Sequence, residues 1–196
     1  MREALRHPTV KSVTLVEIDQ EVVETSRRYF PEISSSLTDS CVEVICEDGA
    51  SYIKEQVNNY DVIIIDSTEP VGPAQNLFSY EFFRDASKAL QNNGILVAQT
   101  ESPFHNADLV SQSYEYIKNL FPETGIYLAP VPSYPGGYWS FTIGSKEKDP
   151  CKAKESQIDL PLKECQYYSP EIHNSAFVLP PFLEKKLVKD NEESAT

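Results

Sequence analysis

The chain has 196 residues, of which 40% are hydrophobic and 24% charged, which is enough for one domain with a sizeable core. Its 17 basic and 30 acidic residues give a net charge of −13, which disfavours binding to nucleic acid phosphates or to anionic membrane surfaces and favours cationic ligands. An acidic surface also keeps a protein soluble, and charge alone favours that simpler interpretation.

Neither membrane insertion nor export is indicated by the sequence. No apolar run approaches the ~20 residues that span a bilayer, and residues 1–8 lack the apolar core of a signal peptide. The cysteines have no C-x-x-C spacing and no nearby histidine in a zinc pattern. We therefore expect a cytoplasmic protein without a metal, in which four cysteines stay reduced: Cys41, Cys46, Cys151 and Cys165.

Strand and helix signals alternate through the N-terminal two thirds of the chain. The predicted strands, which are short runs rich in apolar and β-branched residues, are 13–18, 42–45, 61–66 and 95–99. The predicted helices, whose apolar residues recur at helical spacing, are 22–30, 50–57, 80–91 and 108–121. Strand 61–66 is the clearest, because four consecutive β-branched residues suit a strand that is covered on both faces.

Two further strands, 126–131 and 138–143, flank a turn that is short enough to favour an antiparallel pair. Four strand–helix units with this ending predict a Rossmann-like α/β fold, whose mostly parallel sheet has an antiparallel C-terminal edge. The predicted divisions are a Rossmann-like domain at 1–146, a linker and docking C-terminal extension at 147–184, and a disordered tail at 185–196.

Acidic or polar side chains follow each of the four predicted parallel strands, at the sheet edge where such folds bind ligands. These side chains are Glu17, Asp19, Asp48, Asp66, Gln99 and Glu101. A single acid at a strand end is more often a helix cap or a turn residue. The coincidence at four strand ends favours a shared cleft.

The first two strand ends suggest a nucleotide site. An acid at the position of Glu17 accepts hydrogen bonds from ribose hydroxyls in Rossmann-like units, although dehydrogenases and methyltransferases share this pattern. Asp48 suits the exocyclic amine of adenine, and Gly49 lets the backbone approach the base closely. The alternative for these two residues is a plain Asp-Gly turn.

The segment that follows the third strand carries two acids, Asp66 and Glu69, on a loop that Pro70 and Pro73 stiffen. Clustered carboxylates repel one another unless a cation or a proton lies between them, and a diamine supplies such a cation. A metal is the alternative. However, an acid pair without histidine is a poor transition-metal site, and Mg²⁺ would need a phosphate substrate.

Five segments together resemble the spermidine synthase family, the polyamine aminopropyltransferases, and the resemblance extends from Arg2 to about Leu183. The segments are 16–19, 47–49, 66–73, 133–137 and 176–180. The resemblance implies transfer of an aminopropyl group to putrescine, which gives spermidine and methylthioadenosine. The donor would be decarboxylated S-adenosylmethionine, a co-substrate rather than a tightly bound cofactor, and the full-length family implies a homodimer or homotetramer.

The resemblance also implies roles for single residues. Asp66 would be the proton acceptor, in a closed and poorly hydrated pocket. The implied donor-binding residues are Glu17, Asp48, Gly49 and Pro73. The implied acceptor-binding residues are Asp66, Ser67, Thr68, Glu69, Gln99 and Tyr134. The chain departs from the family at Phe104, where many members have Trp, and at Glu69, where Asp is commoner.

A larger departure lies at the start of the chain. The family's first strand, its glycine-rich loop with an embedded Asp, and its N-terminal β domain should precede Arg2, and none is present. Without that strand the sheet lacks a central member, and its neighbours expose unpaired edges. We therefore expect the chain alone to be poorly stable and weakly active. The alternatives are an amine N-methyltransferase and a non-catalytic remnant that binds a partner through this edge.

Overall fold

The computed structural model describes residues 1–152 and 165–193. The chain forms two compact units, Met1–Glu55 and Gln56–Thr196. The predicted boundaries at 146 and 184 stay predictions. Residues 153–164 of the predicted linker and extension, and residues 194–196 of the predicted tail, lie outside the described residues.

The first unit contains two parallel strands, β1 and β2, which pair in register from Val13 opposite Val42 to Glu17 opposite Cys46. Its elements are α1 (Arg2–Leu5), β1 (Val13–Glu17), α2 (Gln20–Tyr29), α3 (Pro31–Ser34), a 3₁₀ turn (Ser35–Thr38), β2 (Val42–Cys46) and α4 (Gly49–Lys54). Asp19 caps α2 by accepting a hydrogen bond from the Glu21 N–H at 2.8 Å. Pro31 begins α3 because a proline fits the first helical position, where no N–H is needed.

The second unit contains a four-stranded sheet in the order β3-β4-β6-β5. Its elements are β3 (Tyr60–Ile65), a 3₁₀ segment (Gly72–Phe78), α5 (Tyr80–Ala89), β4 (Leu90–Gln99), α6 (Ala107–Lys118), β5 (Glu123–Pro130), β6 (Tyr138–Ser145), α7 (Pro170–Ala176) and α8 (Pro181–Glu193). Strands β3 and β4 are parallel, whereas β6 pairs antiparallel with both β4 and β5. The predicted α/β class with its antiparallel C-terminal edge is confirmed.

Four strands pair with only one neighbour among the described residues: β1 and β2 with each other, β3 with β4, and β5 with β6. That β1 and β3 flank the place of an absent strand stays a prediction. The expectation that β3 is covered on both faces is not met, because Val62 and Ile64 on one face are 53% and 66% exposed. Ile65, which points to the opposite face, is buried.

The junction between α5 and β4 differs from the prediction. The helix ends at Ala89, and the strand begins at once with Leu90. Leu90 pairs with Tyr60 and Ile95 pairs with Val62, so residues 91–94 bulge out of the ladder instead of ending the helix. A Cβ at Gly94 would lie 2.7 Å from the Leu90 Cβ, and this close approach explains the glycine.

Helix α8 includes residues 185–193, which the sequence predicted as part of a disordered tail. Leu183 and Leu187 lie four residues apart and therefore on one face of the helix. Both are buried and pack with three apolar residues of α6 and β5, which are Val110, Ile126 and Leu128. This burial stabilises the helix, although the polar composition of residues 185–193 does not indicate one.

No helix in the described part of the chain is long and apolar enough to cross a membrane. All four cysteines are free thiols, as predicted. Burial raises the pKa of the Cys151 thiol to about 11, and the nearby Asp149 carboxylate contributes to the shift.

Cys151 should therefore react far more slowly with iodoacetamide than the exposed Cys46. The thiolate is the reactive form, and with a pKa of about 11 only roughly one Cys151 thiol in a thousand is ionised at pH 8. Mass spectrometry of the labelled peptides should show a Cys151 rate that rises about tenfold per pH unit between pH 8 and 10. Equal rates for the two thiols at pH 8 would contradict the burial of Cys151.

Candidate active site

In the first unit the two predicted donor-binding acids follow neighbouring strands. Glu17 is the last residue of β1, and its Oε1 accepts a hydrogen bond from the Asp19 N–H at 3.0 Å. Its backbone carbonyl accepts from the Glu47 N–H at 3.2 Å, just before Asp48. Because β1 and β2 are parallel, Glu17 and Asp48 lie at the same edge of this small sheet.

Asp48 caps helix α4, as the simpler interpretation of an Asp-Gly turn requires. Its Oδ1 accepts from the Ala50 N–H at 3.3 Å, and its Oδ2 accepts from the Ser51 hydroxyl at 2.9 Å. Gly49 is the first residue of that helix. A carboxylate has about four lone-pair sites, so these two bonds leave Asp48 able to accept from a ligand amine.

A cleft in the first unit lies away from these acids. Its lining includes Met1, Leu15, Ile33 and Leu37, and it contains neither Glu17 nor Asp48.

In the second unit the predicted acceptor-binding residues other than Tyr134 lie at or just after the ends of β3 and β4. Ile65 pairs with Ala98, so Asp66 and Gln99 come directly after paired residues at neighbouring strand ends. Asp66 is exposed. The closed, poorly hydrated pocket expected around its carboxylate is therefore not formed by the residues that the structure describes.

The loop after Asp66 is turned sharply by its backbone. The Val71 N–H donates to the Glu69 carbonyl at 2.7 Å, and the side chains of Thr68 and Glu69 are both exposed. Pro73 lies in the 3₁₀ segment Gly72–Phe78 that continues the loop. Glu69 and Asp66 are thus available to a solvent-borne cation.

Four buried polar atoms at this end of the second sheet have no hydrogen-bond partner among the described residues. They are Ser67 Oγ, Gln99 Oε1, Glu101 Oε1 and Trp139 Nε1. Leaving such a group unpaired costs about 1–3 kcal/mol. Gln99 is only 9% exposed and Glu101 only 1%, and a ligand with several N–H groups would supply donors to both acceptor oxygens.

The strand-end pattern in the sequence included Glu101 as an acid but indicated no role for it. Its φ of +79° is left-handed, which costs a residue with a side chain about 1–2 kcal/mol. Its Oε2 accepts a hydrogen bond from Asn106 Nδ2 at 3.1 Å. The signal in the sequence was the acid itself, and the structure adds that residues 99–103 are all buried. Strained backbone of this kind concentrates at functional sites.

Tyr134 lies in the turn between β5 and β6 and stands against Trp139, with 4.7 Å between ring centroids. The turn is fixed by three backbone hydrogen bonds between Val131, Tyr134 and Gly137. Gly136 has a φ of +83°, and a Cβ there would lie 3.4 Å from the Phe104 ring. The turn therefore packs closely against Phe104, and the side chains of Tyr134 and Phe104 remain partly exposed.

Phe104 is supported from the C-terminal part of the chain. Its ring lies 5.5 Å from that of Phe182 in α8, centroid to centroid. This packing explains how a phenylalanine holds its place where the family often has Trp.

Within the described residues, no group of three His, Cys, Asp or Glu side chains is arranged to hold a metal ion. The chemistry available to the second unit is that of carboxylates, an amide and aromatic rings. Such groups recognise a flexible organic cation.

The structure thus gives two sets of candidate residues, each at the carboxyl ends of parallel strands. The first unit carries Glu17, Asp48 and Gly49, and the second carries Asp66, Ser67, Thr68, Glu69, Pro73, Gln99 and Tyr134. That both sets serve one cleft stays a prediction.

Comparison with known proteins gives a consistent result. Residues 1–156 match the model of the spermine/spermidine synthase domain. The polyamine aminopropyltransferase of Moorella thermoacetica is 47% identical over 193 residues, which are 98% of this chain and 68% of that protein. The polyamine aminopropyltransferase of Bacillus mycoides is 49% identical over 183 residues, which are 93% of this chain and 66% of that protein.

Solved structures agree with these relatives. The spermidine synthase from Thermotoga maritima superposes with a TM-score of 0.85 at 34% identity, covering 96% of this chain and 64% of that one. A spermidine synthase in complex with the transition state analogue AdoDATO gives a TM-score of 0.85 at 36% identity. The chain spans about two thirds of the length of these proteins. It belongs to the spermine/spermidine synthase family.

Proposed function

We propose that this chain serves the transfer of an aminopropyl group from decarboxylated S-adenosylmethionine to putrescine, with spermidine and methylthioadenosine as products. The observation that carries the proposal is a pair of buried oxygens, Gln99 Oε1 and Glu101 Oε1, at the strand end beside Asp66. Neither oxygen has a hydrogen-bond donor among the described residues. An alkylammonium group supplies three N–H donors and a positive charge to such a pair.

The acceptor would bind in the second unit. Glu101 and Gln99 would receive one ammonium group, and the exposed Asp66 and Glu69 carboxylates would face the other amine. The methylene chain would pack against the partly exposed rings of Tyr134 and Phe104. The net charge of −13 would favour the approach of a dication.

The adenosyl donor would bind in the first unit. Glu17 would accept hydrogen bonds from the ribose hydroxyls, and Asp48 would accept from the adenine amine. The relatives named polyamine aminopropyltransferase support this assignment at 47% and 49% identity. The spermidine synthase that binds AdoDATO supports it through its fold.

In the proposed reaction the neutral amine nitrogen attacks the carbon beside the sulfonium of the donor. A new C–N bond forms, the C–S bond breaks, and its electron pair stays on sulfur as a neutral thioether. The nitrogen that forms the new bond carries the positive charge as a secondary ammonium. The proton that Asp66 took from the acceptor before the attack then passes to solvent. No oxidant, metal or phosphate is needed, because the sulfonium is already a good leaving group.

The difficult step is to make the attacking amine neutral. A free alkylamine has a pKa near 10.4 and an aspartate one near 3.9, so moving the proton between them costs about 9 kcal/mol in water-like surroundings. Removing water lowers the amine pKa and raises the carboxyl pKa. Because Asp66 is exposed in this chain, bound substrates must themselves displace water from it.

The proposal is tested by incubating the chain with putrescine and either decarboxylated or ordinary S-adenosylmethionine. We expect spermidine and methylthioadenosine from the decarboxylated donor and no methylated putrescine from the other, as measured by mass spectrometry. A second protein should fuse the chain to the part of the Moorella thermoacetica relative that it does not span. If neither protein makes spermidine or binds putrescine in a calorimetric titration, the proposal is wrong.

Asp66→Asn should lower kcat by ~10²–10⁴-fold in whichever of these proteins is active, because the amide cannot take the proton. The KM for putrescine should change much less, since Gln99 and Glu101 remain. Asp61→Asn is the matched control, because Asp61 is an exposed acid in the strand that precedes Asp66. Wild-type turnover in the Asp66 variant would remove this residue from the mechanism.

Glu17→Ala should weaken methylthioadenosine binding by ~10–100-fold, which corresponds to the loss of about 1.5–3 kcal/mol of hydrogen bonding to a charged group. Titration calorimetry measures the change directly. Glu43→Ala replaces an exposed acid of the neighbouring strand and should leave the affinity unchanged. Equal affinities for the Glu17 variant and the unchanged chain would exclude the ribose role.

A further inference from the structure

The strand end that carries Glu101 contains one residue too many for a regular ladder. Gln99 pairs with Phe141, and beyond it the Thr100 N–H donates to the Ser140 carbonyl at 3.0 Å. The Ser140 N–H donates in turn to the Glu101 carbonyl at 2.9 Å, so two residues face the single Ser140. An extra residue of this kind is a β-bulge, which re-aims the side chain that it carries.

The Ser140 hydroxyl holds the same carbonyl. Ser140 Oγ donates to the Glu101 carbonyl at 2.8 Å, so this oxygen receives two hydrogen bonds from one residue. A hydroxyl has one proton, so the 3.0 Å contact between Ser140 Oγ and Thr100 Oγ1 must be donated by Thr100. Thr142 must then donate to Thr100 across 3.1 Å. The three buried hydroxyls therefore donate in one direction, and the last hydrogen bond of the series, from Ser140, ends on the Glu101 carbonyl.

The carboxylate of Glu101 is held separately, by Asn106. Asn106 is the N-cap residue of α6, yet its side chain makes no capping hydrogen bond. Its amide donates instead to Glu101 Oε2 at 3.1 Å. A helix normally gains stability from an asparagine at this position through its side-chain cap. The Asn106 side chain therefore bonds the Glu101 carboxylate, and the N-terminus of α6 lacks the capping hydrogen bond.

Both contacts act on a residue whose conformation is unfavourable by itself. Glu101 has a left-handed φ of +79° and is 1% exposed, and its Oε1 has no described partner. A core that only needed to be filled would not require an acid there. Ser140 fixes the backbone of Glu101, Asn106 fixes one carboxylate oxygen, and the second oxygen is left for a ligand.

We propose that Ser140 and Asn106 are positioning residues, which hold the Glu101 carboxylate so that its second oxygen receives an ammonium group of the acceptor. This inference rests on the proposed function. It extends that function by assigning roles to two residues that need not touch either substrate. Their effect should appear in acceptor affinity and not in donor affinity.

The test compares three variants of the chain by calorimetric titration with putrescine and, separately, with methylthioadenosine. Ser140→Ala and Asn106→Ser should each raise the Kd for putrescine at least ~10-fold and leave the Kd for methylthioadenosine within about twofold. Ser113→Ala is the matched control, because it removes a buried hydroxyl of α6 that has no hydrogen-bond partner among the described residues. This control should bind both compounds like the unchanged chain.

Asn106→Ser separates positioning from helix capping. Serine caps a helix as well as asparagine does, but it is too short to reach the Glu101 carboxylate as the amide does. The thermal unfolding midpoint of this variant should therefore not fall, while putrescine binding weakens. Asn106 is exposed, so the variant remains informative if Ser140→Ala fails to fold.

A spectroscopic signal reports the positioning directly. The ¹³Cδ resonance of Glu101 should shift on addition of putrescine to the unchanged chain and should shift less in Asn106→Ser. Unchanged putrescine affinity in both variants, with binding intact in the wild type, overturns this inference alone. Equal weakening in Ser113→Ala also overturns it. If the unchanged chain and its fusion bind no putrescine, the proposed function fails and this inference fails with it.

Discussion

Gln99 and Glu101 each bury a side-chain oxygen for which the described part of the chain offers no donor, and the proposed acceptor site depends on this pair. A buried acceptor without a donor is destabilising, so its presence has to be offset by packing elsewhere in the fold. The β4–β6 ladder, with Phe83, Leu90 and Leu96 buried about it, supplies such packing. The sheet can therefore keep two unmet hydrogen bonds in place, and a cationic ligand that meets them would remove a penalty that the fold already carries.

Asp66 presents a different problem, because its carboxylate is exposed while the proposed proton transfer needs a dry environment. The two requirements are compatible if the site is dehydrated by its own substrates. The putrescine methylenes would cover the acid from the side of Phe104 and Tyr134. The exposed carboxylates of Asp66 and Glu69 would meanwhile pair with the positive charge of the acceptor, which is present only when the acceptor is bound. Turnover would then depend steeply on the occupancy of the acceptor site. The affinity for the donor would depend less on that occupancy.

Much of this fold could be predicted from local sequence. Five of the six strands, β1, β2, β3, β5 and β6, overlap their predicted ranges closely, because each is a run of apolar and β-branched residues bounded by turn residues. The errors arose where distant contacts decide the structure. Leu90 joins a strand because Tyr60 pairs with it, thirty residues earlier in the chain. Residues 185–193 are helical because Leu183 and Leu187 pack on α6 and β5, and their own polar composition gives no sign of this.

The candidate site divides in the same way. Asp66, Glu69 and Gln99 could be named in advance because strand ends and short acidic loops are local features of the sequence. Ser140 could not, because its hydroxyl reaches a carbonyl 39 residues away, and a serine in a strand gives no signal of that contact. Glu101 was visible as an acid, but its left-handed backbone and its burial follow from the extra residue in the β4–β6 ladder. A sequence pattern thus indicates which groups are candidates to meet a ligand, whereas the groups proposed to orient them depend on register across the sheet.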